Sequence, residues 1–132
     1  MAAEKELIGV WRLVSQAYLS ADGSTSEGPL GAGAEGLLIY SEQGYMSVGL
    51  MRTAGPPVSG SGPGKVPVTY MGYSGHWRLA DDVMVHEVEI ASHSRIVDTR
   101  QTREVRLDDD RLTLRERLDE SPRYFVLTWR RL

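Results

Sequence analysis

GLLIYSEQGYMSVGLMR, residues 36–52, is the stretch whose reading decides the fold. Leu37 to Tyr40 is apolar and partly β-branched. Ser41-Glu42-Gln43-Gly44 is turn chemistry, and Tyr45 to Met51 is a second apolar run. The pattern predicts strand, tight turn, strand. Alternation puts Leu37, Ile39, Met46, Val48 and Leu50 on one face, and Leu38, Tyr40, Tyr45 and Met51 on the other. A hairpin apolar on both faces is covered twice or faces a cavity on one side. Ser47 and Gly49 leave room on the second face, and the pattern leaves open which face lines the cavity.

Further hairpins extend outward from this one. Upstream, IGVWRLVSQAYL (8–19) alternates, with Trp11, Leu13, Ser15, Ala17 and Leu19 on one face and Val10, Arg12, Val14, Gln16 and Tyr18 on the other. AEKELI (3–8) reads as one helical turn closing an end, and residues 21–36 as a Gly/Ser loop without periodicity. Downstream, TAGPPVSGSGPGKVPVTYMG (53–72) is too rich in proline and glycine for helix or central strand. A segment of that length reads as a lid or as a tolerated loop.

The second half predicts its own registers. A turn at Ala80-Asp81-Asp82-Val83 sets Trp77 opposite His86, Gly75 opposite Val88 and Leu79 opposite Met84. A turn at Asp108-Asp109-Asp110-Arg111 sets Val105 opposite Leu114, Arg103 opposite Glu116 and Glu104 opposite Arg115, so opposite charges meet on both faces. A last turn at Asp119-Glu120-Ser121-Pro122 points Phe125, Leu127, Trp129 and Arg131 inward, opposite Leu118, Glu116, Leu114 and Leu112. Eight strands result: 8–19, 35–41, 45–52, 73–80, 83–92, 96–107, 112–118 and 123–132. With no helix long enough for a parallel crossover, they form an all-β, eight-stranded antiparallel up-and-down barrel with an internal cavity.

The chain of 132 residues is read as one domain, residues 1–132, with a net charge of −3. That charge argues against nucleic acid or an anionic membrane as partner. The absence of cysteine excludes disulfides and thiol chemistry. The charged start, MAAEKELIGVW, does not resemble a signal peptide, and no apolar run reaches membrane-spanning length, so a cytoplasmic location is expected. Outward Val10, Val14 and Tyr18, with the doubly apolar hairpin, suggest a homodimer.

The chain resembles the lipocalin-like domain family of bacterial and fungal proteins within the calycin group. LIGVWRLVS (7–15), DGS with PLG (22–24, 29–31), residues 36–52, VHEVE (85–89), Thr99-x-Gln101-x-Arg103, DDDRLTL (108–114) and LTWRR (127–131) carry the resemblance, nearly end to end. It implies the barrel, with a terminal arginine over Trp11. It implies either of two functions, small-molecule binding or cofactor-free cyclisation and isomerisation in secondary metabolism. The Gly/Pro-rich 53–72 segment is shorter than the acidic, partly helical insertion common in the family.

Chemistry is therefore sought in the interior. The predicted inward face is apolar except for His86, Gln101, Arg103 and Glu116 on adjacent strands. Buried polar groups need partners. In a purely structural reading, Arg103 pairs with Glu116 and Gln101 bridges to His86. In the functional reading the set faces a pocket, where His86, Arg103 and Glu116 are the candidate catalytic residues. His86 is suited to proton transfer, Arg103 to holding a substrate oxygen, and Glu116 to orienting Arg103 or acting as a base. Tyr40, Tyr45, Ser47, Tyr73, Trp77, Gln101 and Trp129 are the candidate substrate contacts. His76 points out and His93 sits in a turn, so no metal site is expected, and no cofactor motif occurs. The expected function is a cofactor-independent cyclase or isomerase acting on a small polyketide- or terpenoid-like molecule. The alternative is a non-catalytic barrel that binds a small hydrophobic molecule.

Overall fold

Strand after strand alternates between solvent and interior. β3 (Glu35–Tyr40) alternates exposed and buried at every residue, and β7 (Arg100–Asp108) does the same with half-buried positions. Period two with one apolar face is what a sheet closed around a core requires. The computed structural model describes residues 3–53, 70–119 and 124–132. Within them a helical turn, α1 (Glu4–Leu7), precedes β1 (Gly9–Leu19) and the short β2 (Thr25–Glu27). β3, β4 (Tyr45–Met51), β5 (Tyr70–Ala80), β6 (Val83–Ala91), β7, β8 (Arg111–Arg117) and β9 (Tyr124–Arg131) follow, with a 3-10 turn at Ser94–Ile96.

The order is β1-β3-β4-β5-β6-β7-β8-β9, every pair is antiparallel, and β9 pairs back onto β1. The eight-stranded up-and-down barrel is therefore closed. β2, read from sequence as part of a loop, adds a ninth strand that pairs with the last residues of β1, from Ala17 to Leu19. The expected lid at 53–72 falls largely on residues 54–69, and the turn 119–122 on residues 120–123; both lie outside the described residues.

The β5–β6 and β7–β8 registers agree with expectation, including Trp77 opposite His86 and Val105 opposite Leu114. At both tight turns one Asp takes the left-handed conformation that a short polar side chain tolerates: Asp81 at φ 56° and Asp109 at φ 52°. Past Gly75 the β5–β6 ladder slips by one residue, so that Ser74 faces Ile90. A Cβ on Gly75 would fall 1.9 Å from the Glu87 carbonyl oxygen, so this close approach requires glycine.

Three expectations are corrected. In the β3–β4 hairpin Leu38 pairs with Val48 and Tyr40 with Met46. The inner face therefore combines Leu38 and Tyr40 with Met46, Val48 and Leu50, while Leu37, Ile39, Tyr45, Ser47 and Met51 face outward. The four-residue turn pairs even positions with even, whereas the reading from sequence had crossed odd with even. In β1 the register shifts between Leu13 and Ser15. This bulge switches the face, so Trp11 and Leu13 point in, and after it Gln16 and Tyr18 do. In β8–β9, Glu116 faces Phe125, Leu114 faces Leu127 and Leu112 faces Trp129. The expected register was two residues off. A slip of two preserves the face, so the inward set stands while its partners change.

One end of the barrel is sealed. Leu7 and Trp11 are fully buried there, and the indole N–H of Trp11 donates to the Leu7 carbonyl at 3.0 Å. The Arg131 guanidinium lies 4.3 Å from the Trp11 ring centroid. It also donates to the carbonyls of Ile8, at 3.0 Å, and Glu6. A backbone bond from Leu79 to the Glu4 carboxylate, 2.9 Å, fixes α1 against β5.

Candidate functional site

The interior between the sealed end and the opposite rim holds a cavity of ≈220 Å³. Leu38, Val48, Leu50, Leu114, Leu127 and Trp129 supply its apolar wall, and Tyr18, Pro29, Met71, Leu118 and Phe125 line it toward the rim where β1 ends and β9 begins. Its polar residues are Tyr73, His86, Arg103 and Glu116, from the consecutive strands β5 to β8, together with Tyr18. A larger depression of ≈450 Å³ over Leu37, Ile39 and Met51 lies on the outside of the barrel.

His86 is the centre of the polar side. It is 2% exposed. Its Nε2 lies 2.7 Å from the Tyr40 hydroxyl and its Nδ1 2.5 Å from the Tyr73 hydroxyl. The three come from β3, β5 and β6, brought together by the inward alternation of each strand. Trp77 packs its ring 4.6 Å from that of Tyr40 and donates its N–H to the Ser41 carbonyl at 3.0 Å. Burial pushes the His86 imidazole down to about 3, and the neighbouring Arg103 charge acts in the same direction. Burial pushes the Tyr73 phenol up to about 12, with Arg103 opposing and Glu116 adding. Burial also raises Tyr40 well above the ordinary tyrosine range; Tyr73 adds to this and Arg103 opposes it. Near neutral pH the trio is therefore uncharged.

Arg103 and Glu116 form a second, looser unit. Their closest N···O distance is 3.5 Å, and their side chains are 12% and 35% exposed. Arg103 also donates to the Thr102 carbonyl at 2.8 Å. This is an ion pair open to solvent on its acidic side, unlike the buried pair expected from sequence.

Among the residues singled out from sequence, Tyr40, Tyr73, Trp77 and His86 come together, and Tyr73, His86, Arg103, Glu116 and Trp129 line the cavity. Gln101 faces the interior beside His86, but its amide donates to Thr99 Oγ1 at 2.9 Å, so the expected Gln101–His86 bridge is absent. Tyr45 and Ser47 are corrected: both lie on the outer face. Tyr45 is 53% exposed and stacks on His76, and Ser47 bonds Ser74 at 2.8 Å. The same even-with-even pairing that reorders the hairpin puts them outside. His76, outward as expected, meets Glu89 at 2.9 Å.

Sequence reasoning missed Tyr18 and Gln16, and placed Phe125 inward without naming it as a site residue. Tyr18 turns inward through the β1 bulge and meets Phe125 at 5.5 Å between ring centroids. Gln16 is buried; its amide donates to the Gly31 carbonyl at 2.9 Å, and its carbonyl accepts from Leu30 N–H at 3.4 Å. It thereby pins the 28–31 loop, which brings Pro29 to the cavity. A glutamine amid strand alternation was the one available signal, and it gave no direction without the bulge.

A family model described as a lipocalin-like domain matches residues 8–132. No curated protein and no solved structure matches the chain. Among the described residues no helix is long and apolar enough to cross a membrane.

Proposed function

The chain belongs to the lipocalin-like domain family, and from that premise we propose that it binds a small, mostly apolar molecule inside the barrel. The observation that carries this reading is the interior cavity, mostly hydrocarbon, with its polar side chains other than Tyr18 gathered on the wall formed by β5 to β8. A ligand there buries its body against Leu38, Leu50, Leu114 and Leu127 and turns its polar end to Tyr73 and Arg103. Burial of apolar area supplies the affinity at about 25 cal/mol per Å². The polar wall supplies orientation.

The test is a double substitution that fills the cavity, Leu38→Phe with Leu114→Phe, assayed with 1-anilinonaphthalene-8-sulfonate. Wild type should enhance the dye's fluorescence saturably, and a folded filled variant should not. Equal binding by both would place the dye elsewhere and remove the reading.

A cofactor-free cyclase or isomerase is the second reading, supported by a tyrosine hydroxyl and a guanidinium facing one apolar cavity. In it Tyr73, not His86, is the group that reaches substrate, because both imidazole nitrogens are already engaged. A biosynthetic intermediate consumed by the wild type, and not by Tyr73→Phe, would favour it. A homodimer remains part of the proposal, through the outward Val10, Leu37, Ile39 and Met51, each about two-fifths exposed. A clean monomer by light scattering at high concentration would reject that assembly.

A further inference from the structure

We infer that the Tyr40–His86–Tyr73 chain is directional, and that it presents the Tyr73 O–H as a donor to a hydrogen-bond acceptor oxygen on the bound molecule. The inference rests on the cavity-binding reading and names the chemical class of its ligand.

A neutral imidazole has one N–H and one bare nitrogen. Two arrangements satisfy the ring. In the first, Tyr40 donates to Nε2, Nδ1–H donates to the Tyr73 oxygen, and the Tyr73 hydrogen is free. In the second, Tyr73 donates to Nδ1, Nε2–H donates to the Tyr40 oxygen, and the Tyr40 hydrogen is free. The distances, 2.7 Å and 2.5 Å, suit either. Surroundings decide between them. Tyr40 is 1% exposed, and its hydroxyl has His86 as its one hydrogen-bond partner among the described residues. The second arrangement leaves a donor in the core with nothing to receive it, which buried polar groups avoid. Tyr73 instead lines the cavity, where an incoming atom accepts its hydrogen. The first arrangement is therefore the stable one.

The rest of the wall has the same polarity. Arg103 donates only. Trp129 lines the cavity with its ring and adds no acceptor to it, its indole N–H being buried away from the cavity. Glu116 is the one carboxylate of the lining, and Arg103 already engages it at 3.5 Å. A wall with a surplus of donors fits a ketone, aldehyde or carboxylate oxygen at the end of an apolar body. An amine, protonated at neutral pH, would meet the Arg103 charge and have to compete with it for Glu116.

Nitrogen-15 NMR of the histidine side chain at neutral pH reads the tautomer directly. The Nδ1–H form is expected for His86, and the Nε2–H form overturns the inference whatever the ligand. Calorimetry with n-octane, 2-octanone, octanoate and octylamine reads the consequence. 2-Octanone and octanoate should bind roughly tenfold more tightly than octane, as one hydrogen bond warrants. Octylamine should be the weakest, and Tyr73→Phe should erase the advantage of 2-octanone. Equal binding of all four, or octylamine as the tightest, overturns the acceptor preference and leaves cavity binding standing. Failure of all four to bind removes both.

Discussion

At the sealed end of the barrel Arg131 lies over Trp11, and Leu7 fills the space beneath. At the other end Tyr18, Pro29, Met71, Leu118 and Phe125 line the cavity. The same eight strands make both ends. The sealed end is where β3 meets β4, β5 meets β6 and β7 meets β8 through short turns, each fixed by local chemistry such as Asp81 or Gly44. The far end is where β1 leads into β2 and where β6 is joined to β7 through the 3-10 turn, and the ladder slips past Leu13 in β1 and past Gly75 in β5 lie within the strands between the two ends. Substitutions at the first end are therefore expected to cost more stability than those at the second.

The largest expected effect tests the sealed end. Trp11→Ala removes a fully buried indole, the donor to Leu7 and the platform for Arg131, and should cost about 3–5 kcal/mol in urea unfolding. Phe125→Ala near the rim should cost less, because Phe125 is only half-buried. Equal losses would break the contrast between the ends.

Acid should act through the site at the boundary between them. The His86 pKa is near 3 when folded, against about 6.5 for a free histidine. Between those values the unfolded chain binds a proton that the folded chain does not. Its stabilising share is thus complete above 6.5 and is lost as pH falls, by up to about 1.4 kcal/mol per unit. The double variant His86→Leu, Tyr40→Phe should show a shallower decline over that window. A ring C–H of His86 titrating near 6.5 by NMR would contradict the buried, neutral assignment.

Smaller still is the effect expected at the looser unit. Arg103→Met with Glu116→Leu should change stability by less than about 1 kcal/mol, since a partly exposed pair contributes little. A loss of several kcal/mol would mean that the pair supports the fold as His86 does.

How much of this was legible in the sequence follows the same division. Asp-rich turns and alternating charges were enough to place Trp77 opposite His86 and Arg103 across from Glu116, because a two-residue turn leaves one register that pairs both faces. The terminal arginine over Trp11 was legible only through the family resemblance and the closure of the last strand onto the first. The β1 bulge was not, since Val14 and Ser15 suit a regular strand as well as a bulged one. Tyr18 was accordingly placed outside, and Gln16 had no visible partner until Gly28–Gly31 folded back over it. Tyr45 and Ser47 were misplaced by one error of parity in a four-residue turn, whose conformation determines pairing and is not written in side-chain types. The His86–Tyr40–Tyr73 contact joins strands β3, β5 and β6, and its hydrogen bonds depend on barrel curvature that no local pattern encodes.

The measurement that reaches the central claim most directly is a backbone and side-chain NMR titration of the wild-type protein with 2-octanone. The account predicts saturable shifts gathered on Tyr73, His86, Leu114, Phe125 and Trp129, with Tyr45, Leu37 and Ile39 unmoved. Shifts confined to those three outer residues, or none that saturate, would contradict a ligand site inside the barrel.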